Sequence, residues 1–368
     1  MPIQTATDSI SNSQGSPFGF KNRIINGAMV IDQRNAGASV TPVNNQYLVD
    51  RFLATLTQAS KFTVQQNAGS VTPPVGFAKY LGVTSSSAYS VLTGDTFAIV
   101  QYIEGFNIAD LAYGTASAAT VTLSFQVRSS LTGTFGGALV NGAQNRSYPF
   151  TYTISAANTW ESKSITIVGD TTGTWTTDNS AGLGIRFGLG SGATYTGTAG
   201  AWAAGNFLSA TGATSVVGTN GATFYITGVQ LEKGSQATAF DYRDYGTELA
   251  LCQRYCHIFR PDATATFSNI GFATVFAGTD QHVGITLPVS MRTVPTASYS
   301  SISHLAIHLP GLVRITVTAA SVNTNQSGNY RIVLGTNTAS DGNLVSHKNG
   351  HCEFNGTSTG FLAFSAEL

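Results

Sequence analysis

Alternating side chains at residues 121–127 restrict the fold of this chain more than any other feature. Every second position of the run is apolar: Val121, Leu123, Phe125 and Val127. A period of two places these side chains on one face of a β-strand, so it predicts a sheet with one buried face. The same alternation recurs at residues 183–189 and around residues 97–103, with turn signals between the runs. Short strands at regular spacing are typical of a β-sandwich or a barrel.

Charge is scarce in the chain and balanced. Charged residues make up 10% of it, with 18 basic and 18 acidic side chains, while glycine supplies 40 of the 368 residues. This composition favours turns and strands over helices. Because the scattered charges cancel, neither nucleic acid nor membrane insertion is expected. No apolar run approaches the roughly 18 residues that span a bilayer, and the start lacks a signal-peptide pattern, so we expect a soluble product made in a cytosol.

The length of 368 residues fits about two domains. Residues 1–20 are polar, nearly uncharged and aperiodic, which predicts an N-terminal arm that does not fold alone. Runs sufficient for eight or more strands follow between Val43 and Gly234, and the Gly-rich, Ser-rich and Thr-rich connection at residues 190–222 suits a Greek-key crossing. We therefore predict an all-β chain whose first domain, residues 21–240, is a jelly-roll-like β-sandwich.

A short linking helix is predicted at residues 241–259. Thr247 supplies an N-cap, Glu248 an acidic side chain in the first turn, and His257 a basic side chain near the end. Residues 260–368 return to strand patterns and predict a smaller C-terminal β domain. Its strand-like runs lie at residues 313–317, 331–334 and 361–368.

The three cysteines lack the spacing of a zinc site or a redox motif. Cys252 and Cys256 are four residues apart, and Cys352 stands alone. We interpret all three as buried structural thiols, and a disulfide framework is not expected in a reducing cytosol.

No catalytic motif is present, and no catalytic or cofactor-binding residue is predicted. The pattern GxSxG occurs at residues 356–360, but the strand-like run 361–368 follows it instead of the helix of a nucleophile elbow, and the chain has no GxxxxGK loop, no GxGxxG after a strand and no HExxH. Glycan cleavage needs only two carboxylates, which Asp170 with Asp178, or Asp241 with Asp244, could supply. The alternative is that these acids occupy turns and cap backbone amides, as Asp does beside Gly and Thr.

Two HxxxH patterns occur in the second half of the chain, at His304 and His308 and at His347 and His351. On a strand, residues four apart share a face and lie about 13 Å from each other, too far to ligate one ion. His304 and His308 are therefore metal candidates only where a threefold axis brings copies of each side chain together. The alternative is solvated or interface histidine, and no metal is expected within one chain.

Aromatic side chains provide the candidates for sugar stacking: Trp202, Tyr195 and Tyr299. Trp202 lies in a Gly-rich and Ala-rich loop without alternation, which is compatible with exposure. Trp160 and Trp175 also offer ring faces, and a core position is the favoured interpretation for Trp175 at a strand entry.

Several segments of the chain resemble those of one protein family. They are NRIINGAM at residues 22–29, DRF at 50–52, GVQLE at 228–232, ELALCQRY at 248–255, LPVSMRTVPT at 287–296 and SAEL at 365–368. Their order and spacing resemble bacteriophage tail fibres and receptor-binding virion proteins. Together the segments frame nearly the whole chain, although no single segment specifies a reaction.

The resemblance implies a virion protein, assembled in the cytoplasm of a host bacterium, that forms a homotrimer. Its N-terminal arm would dock on other tail or head proteins, and residues 260–368 would face the host and bind a surface glycan. A trimer would multiply individually weak contacts. Two alternatives stay open, namely a tailspike-like glycan depolymerase and a head decoration or head-fibre protein without a receptor.

Overall fold

The computed structural model describes residues 21–261, 267–277, 279–309, 314–338, 348–356 and 360–368. The chain divides into two compact units, one extending to Tyr245 and including Leu368, the other spanning Gly246–Glu367. The predicted docking arm at residues 1–20 lies outside the described residues.

Short strands, nearly all of them paired antiparallel, make up most of the first unit. In the described part of the chain they are β1 (Tyr47–Val49), β2 (Phe52–Leu56), β3 (Phe62–Gln66), β4 (Leu81–Ser85), β5 (Thr96–Glu104), β6 (Val121–Ser129), β7 (Gly133–Asn141), β8 (Arg146–Ile154), β9 (Glu161–Ile167), β10 (Ala181–Ser191), β11 (Thr196–Gly197), β12 (Ala203–Ala204), β13 (Ser209–Ala210) and β14 (Thr223–Lys233).

Two sheets form the sandwich of the first unit. The larger has the order β1-β2-β5-β10-β7-β8-β12, and the smaller has the order β3-β4-β14-β6-β9. The segment between β10 and β14, which contains the short parallel pair β11 and β13, crosses from the larger sheet to the smaller. Neighbours in the sheets are thus distant in sequence, as in the predicted Greek-key arrangement.

The alternating residues of the sequence form the core between these sheets. Phe125 of β6 meets Phe187 of β10 with ring centroids 5.1 Å apart, so the contact joins the smaller sheet to the larger. Both rings are buried in one apolar cluster that spans the first unit. Burial of such side chains is the main favourable term in folding, which explains why the alternation predicted the strands.

The second unit contains a helix, a closed β-barrel and a separate three-stranded sheet. Helix α1 (Tyr245–Gln253) begins at the boundary, and the described strands are β15 (Cys256–Phe259), β16 (Phe267–Ala277), β17 (Asp280–Thr286), β18 (Thr296–Tyr299), β19 (Leu305–His308), β20 (Ile315–Val322), β21 (Arg331–Thr338), β22 (Asn349–Asn355) and β23 (Leu362–Ser365). Six of these strands close a barrel in the order β16-β17-β21-β20-β19-β22, while β15, β23 and β18 form a separate sheet.

The predicted fold class is confirmed: the chain is all-β, with a sandwich, a short helix and a smaller β unit. The predicted extent of the helix is wrong, because α1 ends at Gln253 and His257 lies in strand β15. There His257 pairs with Phe364 of β23, a partner more than a hundred residues away. The three cysteines are buried and form no disulfide. In the part of the chain that is described, no helix has the length and apolar character to span a membrane.

Candidate functional site

A polar groove on the barrel of the second unit is the candidate binding site. Its volume is about 430 Å³, and we call it the barrel groove. Strands β17, β20 and β21 form it, together with the last residue of β18. The lining residues are Asp280, Gln281, His282, Tyr299, Thr318, Ala319, Ala320, Ser321, Gly335, Thr336 and Asn337. Cavities of roughly 300–1,000 Å³ are the usual size of small-molecule sites.

Strand alternation explains why one surface of the groove is polar. In β17, Val283 and Ile285 are buried in the barrel core, while Asp280 is exposed and His282 is half-buried. A register shift between Val317 and Ala319 marks a bulge in β20, and Thr318 is exposed there. Bulges re-aim side chains, and here the bulge leaves a hydroxyl beside the groove.

Gly335 is a lining residue of the groove that carries no side chain. A Cβ at Gly335 would have the carbonyl oxygen of Ser321, 3.8 Å away, as its nearest neighbour. Gly284 on β17 is similarly open, with the carbonyl oxygen of Phe272 at 3.9 Å, but it does not line the groove. Packing therefore does not require glycine at either position, and the space above Gly335 belongs to the groove.

The groove presents hydrogen-bonding groups on neighbouring strands. With its amide nitrogen directed at β17, Asn337 donates to the Asp280 Oδ1 at 2.9 Å and to the Thr336 carbonyl at 3.1 Å. The Thr318 hydroxyl donates to the carbonyl of Asn337 at 3.0 Å. The His282 ring stacks on Phe276 with centroids 4.8 Å apart. Asp280 is the single carboxylate among the lining residues, so this groove lacks the acid pair that glycoside hydrolysis uses.

Tyr299, one of the three predicted sugar-stacking residues, lines the barrel groove. It is half-buried at the end of β18 and packs partly against the core of the second unit. Its groove partners were missed by sequence reasoning because they come from strands paired at long range. The alternation of residues 280–286 could have identified β17, but not its neighbours.

Tyr195 and Trp202 lie in the first unit and in different clusters. Tyr195 packs beside Leu53 and Leu208 on the larger sheet. Trp202 meets Trp175 edge-on at 5.4 Å, and its indole N–H donates to the Val168 carbonyl at 2.7 Å. The polar edge of Trp202 is thus occupied, and its ring is partly covered by other aromatic rings.

The acidic pairs considered for catalysis have structural partners. Asp170 forms a two-point ion pair with Arg146, with both N–O distances at 2.7 Å, and its side chain is 2% exposed. Asp178 accepts hydrogen bonds from the Ser180 backbone N–H and hydroxyl. Asp241 accepts a bond from the Asn22 backbone N–H at 3.4 Å. The bonds from Ser180 to Asp178 agree with the capping role proposed as the alternative, whereas Asp170 is held by an ion pair and Asp241 by a backbone N–H distant in sequence.

The predicted strand arrangement of His304 and His308 is wrong. His304 belongs to a 3-10 turn at Ile302–His304 and lies 2.8 Å from the Ser300 hydroxyl, whereas His308 ends β19. His308 instead contacts His351 of β22, with ring centroids 5.0 Å apart. His347 lies outside the described residues.

A smaller cavity of about 260 Å³ lies on the larger sheet of the first unit. Tyr47, Tyr102 and Gln144 are among its lining residues. Gln144 and Tyr102 also bind Arg186, whose guanidinium NH2 is 2.9 Å from the Gln144 Oε1 and 3.4 Å from the Tyr102 hydroxyl. Burial lowers the pKa of Arg186 below its ordinary value. The cavity is smaller than the barrel groove and is bordered by side chains that already have hydrogen-bond partners.

No protein-family model matches the chain, and no curated protein matches it. Among solved structures it is similar to a tailspike protein 4 domain of bacteriophage CBA120, with 12% identity, a TM-score of 0.30, and 58% of this chain covered. The chain spans 21% of that tailspike domain. It is also similar to a putative sugar binding protein from Bacteroides thetaiotaomicron, with 11% identity, a TM-score of 0.34, and 58% of this chain and 100% of that one covered. A family 11 carbohydrate-binding module from Clostridium thermocellum has 12% identity and a TM-score of 0.28 over 54% of this chain and 97% of its own. At these TM-scores the similarities identify neither a family nor a ligand.

Proposed function

We propose that the protein is a bacteriophage attachment protein that binds a surface glycan of the host bacterium in the barrel groove. In this proposal it acts as a homotrimer in the virion. The N-terminal arm holds it to other virion proteins, and the second unit faces the host. Binding is non-covalent, and repeated groove contacts supply avidity.

The composition of the barrel groove is the observation that carries the glycan-binding part of the proposal, while the phage part rests on the sequence resemblance. A sugar presents hydroxyls around an apolar ring face, so its site needs several hydrogen-bonding groups and an aromatic side chain. The groove brings together the Tyr299 ring, the Asp280 carboxylate and the Thr318 hydroxyl. The low charge of the chain, 10% of its residues, suits a neutral or weakly charged polymer better than a polyanion.

Filling the groove provides the first test. Gly335→Leu adds a side chain inside the groove, at a position where the nearest atom to a Cβ is 3.8 Å away. Gly284→Leu is the matched control, because it adds the same side chain to the same barrel at an open position outside the groove. Both variants of the full chain are compared with the unmodified protein for co-sedimentation with intact cells of candidate host bacteria and for binding to their purified surface polysaccharide.

We expect Gly335→Leu to lose binding and Gly284→Leu to retain it. Tyr299→Ala, compared with Tyr330→Ala at a 47% exposed tyrosine outside the groove, gives a second pair. Equal binding by all four variants would refute the groove as the site. Attachment to virions without binding to any cell would favour the head-fibre alternative, and shortening of the polysaccharide on incubation would favour the depolymerase.

A further inference from the structure

We propose that His308, His351 and Glu353 form a zinc-binding site on the outer surface of the barrel. One ring nitrogen of each histidine and one carboxylate oxygen of Glu353 lie within 4.8 Å of one another. The site is separate from the barrel groove, and none of its residues lines that groove. It lies within one chain, unlike a site on a symmetry axis.

Strand register brings the three side chains together. His308 of β19 is the cross-strand neighbour of His351 of β22, and Glu353 follows His351 by two residues on the same face. Ile307 and Cys352 point the other way, into the barrel core. Gly350 lets the strands approach closely, because a Cβ there would lie 2.2 Å from the His308 carbonyl oxygen. The ligands are therefore held by two paired strands rather than by a loop.

The distances require only small side-chain movements to suit an ion. Zn–N and Zn–O bonds of about 2.0–2.2 Å place tetrahedral ligand atoms roughly 3.4 Å apart. The His351 Nε2 is already 3.1 Å from the Glu353 Oε2. The rings of His308 and His351 meet at 87° with centroids 5.0 Å apart, so rotation about the side-chain bonds brings their nitrogens toward a common point.

The surroundings of Glu353 resemble an outer ligand shell. Arg314 pairs with the Oε1 of Glu353, which leaves the Oε2 directed at His351. The Arg314 guanidinium lies 3.4 Å from the centroid of the Phe267 ring, and the Glu353 side chain is only 3% exposed. A carboxylate that is oriented by a second group and shielded from water loses less freedom when it ligates an ion.

Two imidazoles and one carboxylate favour Zn²⁺ over Ca²⁺ or Mg²⁺, which prefer oxygen ligands alone. Three protein ligands leave a fourth position for water. An ion here would link the neighbouring strands β19 and β22. Because it would bind only the folded form, it would stabilise the second unit. The alternative is that His351 and Glu353 form only a hydrogen bond beside the His308 ring. Titration with zinc distinguishes the two, because only the metal site binds the ion.

The test is calorimetric titration of the chelator-treated full chain with zinc chloride. We expect about one ion per chain for the unmodified protein and for His304→Gln, the matched control, because His304 contacts Ser300 instead of the cluster. His308→Gln and Glu353→Gln remove ligands, and each should weaken binding by at least the roughly 10–100-fold that outer-shell changes cost. Circular dichroism checks that each variant is folded.

Unchanged affinity in both ligand variants would overturn the proposal, as would an equal loss in His304→Gln. One ion per three chains would indicate a threefold-axis site and would also overturn it. Should the variants fail to fold, Co²⁺ added to the unmodified chain decides the matter. Intense visible absorption bands of tetrahedral Co²⁺ support the three-ligand site, and a weak octahedral spectrum refutes it.

Discussion

Phe187→Ala tests the packing that joins the two sheets of the first unit. The Phe187 ring is 1% exposed and meets Phe125 of the opposite sheet at 5.1 Å and Phe150 of its own sheet at 6.4 Å. Truncation of a buried Phe costs about 3–5 kcal/mol, and part of that cost is the aromatic pairing of about 0.5–1.5 kcal/mol. Because Phe187 contacts two rings, we expect a loss of about 4 kcal/mol.

Tryptophan fluorescence during urea unfolding isolates this effect. The three tryptophans, Trp160, Trp175 and Trp202, all belong to the first unit, so their emission reports its unfolding and not that of the second unit. With a urea dependence of about 2 kcal/mol per molar, the expected loss lowers the midpoint by roughly 2 M.

Phe106→Ala is the control, since Phe106 belongs to the same unit and is 60% exposed. Its midpoint should change by less than about 0.25 M, because surface substitutions cost within about 0.5 kcal/mol. A loss below about 1.5 kcal/mol for Phe187→Ala, or equal losses in the two variants, would refute the placement of Phe187 between the sheets.

Two further predictions concern titration. Burial acts to raise the pKa of Asp170, but hydrogen bonds from Arg146 and Thr172 outweigh it and hold that pKa below its ordinary value. The resulting stability is present above the unfolded-state pKa of about 3.9 and is lost as the pH falls through the lower folded-state pKa. The urea midpoint of Asp170→Asn should therefore decline less steeply on the acid side than that of the unmodified protein. Identical declines in the two proteins would contradict this. Burial raises the pKa of Cys352 to about 12, so this thiol carries almost no reactive thiolate at pH 8. Iodoacetamide at pH 8 should therefore label Cys352 only after denaturation. Rapid labelling of Cys352 in the folded chain would show that the thiol is accessible.

Local pattern was sufficient to predict the strands that form the sandwich core. Residues 121–127 and 183–189 alternate, and they lie within β6 and β10. Alternation depends only on one face being buried, so it is visible without knowledge of the partner strand. The same reasoning identified the all-β class and a second, smaller β unit.

Pairing between distant strands could not be predicted in this way. Residues 256–259 read as the end of a helix, but β23 recruits them as β15. The sequence spacing pairs His308 with His304, whereas strand register gives it His351 as a neighbour. The sequence identifies Tyr299 by its ring alone, and the polar groups beside it come from β17, β20 and β21. These three predictions lack the same information, namely which distant strand lies beside a given strand and in what register. The pattern of a single strand does not specify its partner.

Closure of the six-stranded barrel limits how copies of the second unit can associate. An open sheet offers unpaired N–H and C=O groups along its outer strands, and another chain can extend the sheet there. Each of the six barrel strands has a partner on both sides, so that route is closed in the barrel. Copies that meet through the barrel must do so through side chains, such as the exposed rings of Phe272 and Phe276. A substitution at such an exposed ring is therefore expected to change association through the barrel without disturbing the hydrogen bonds that close it.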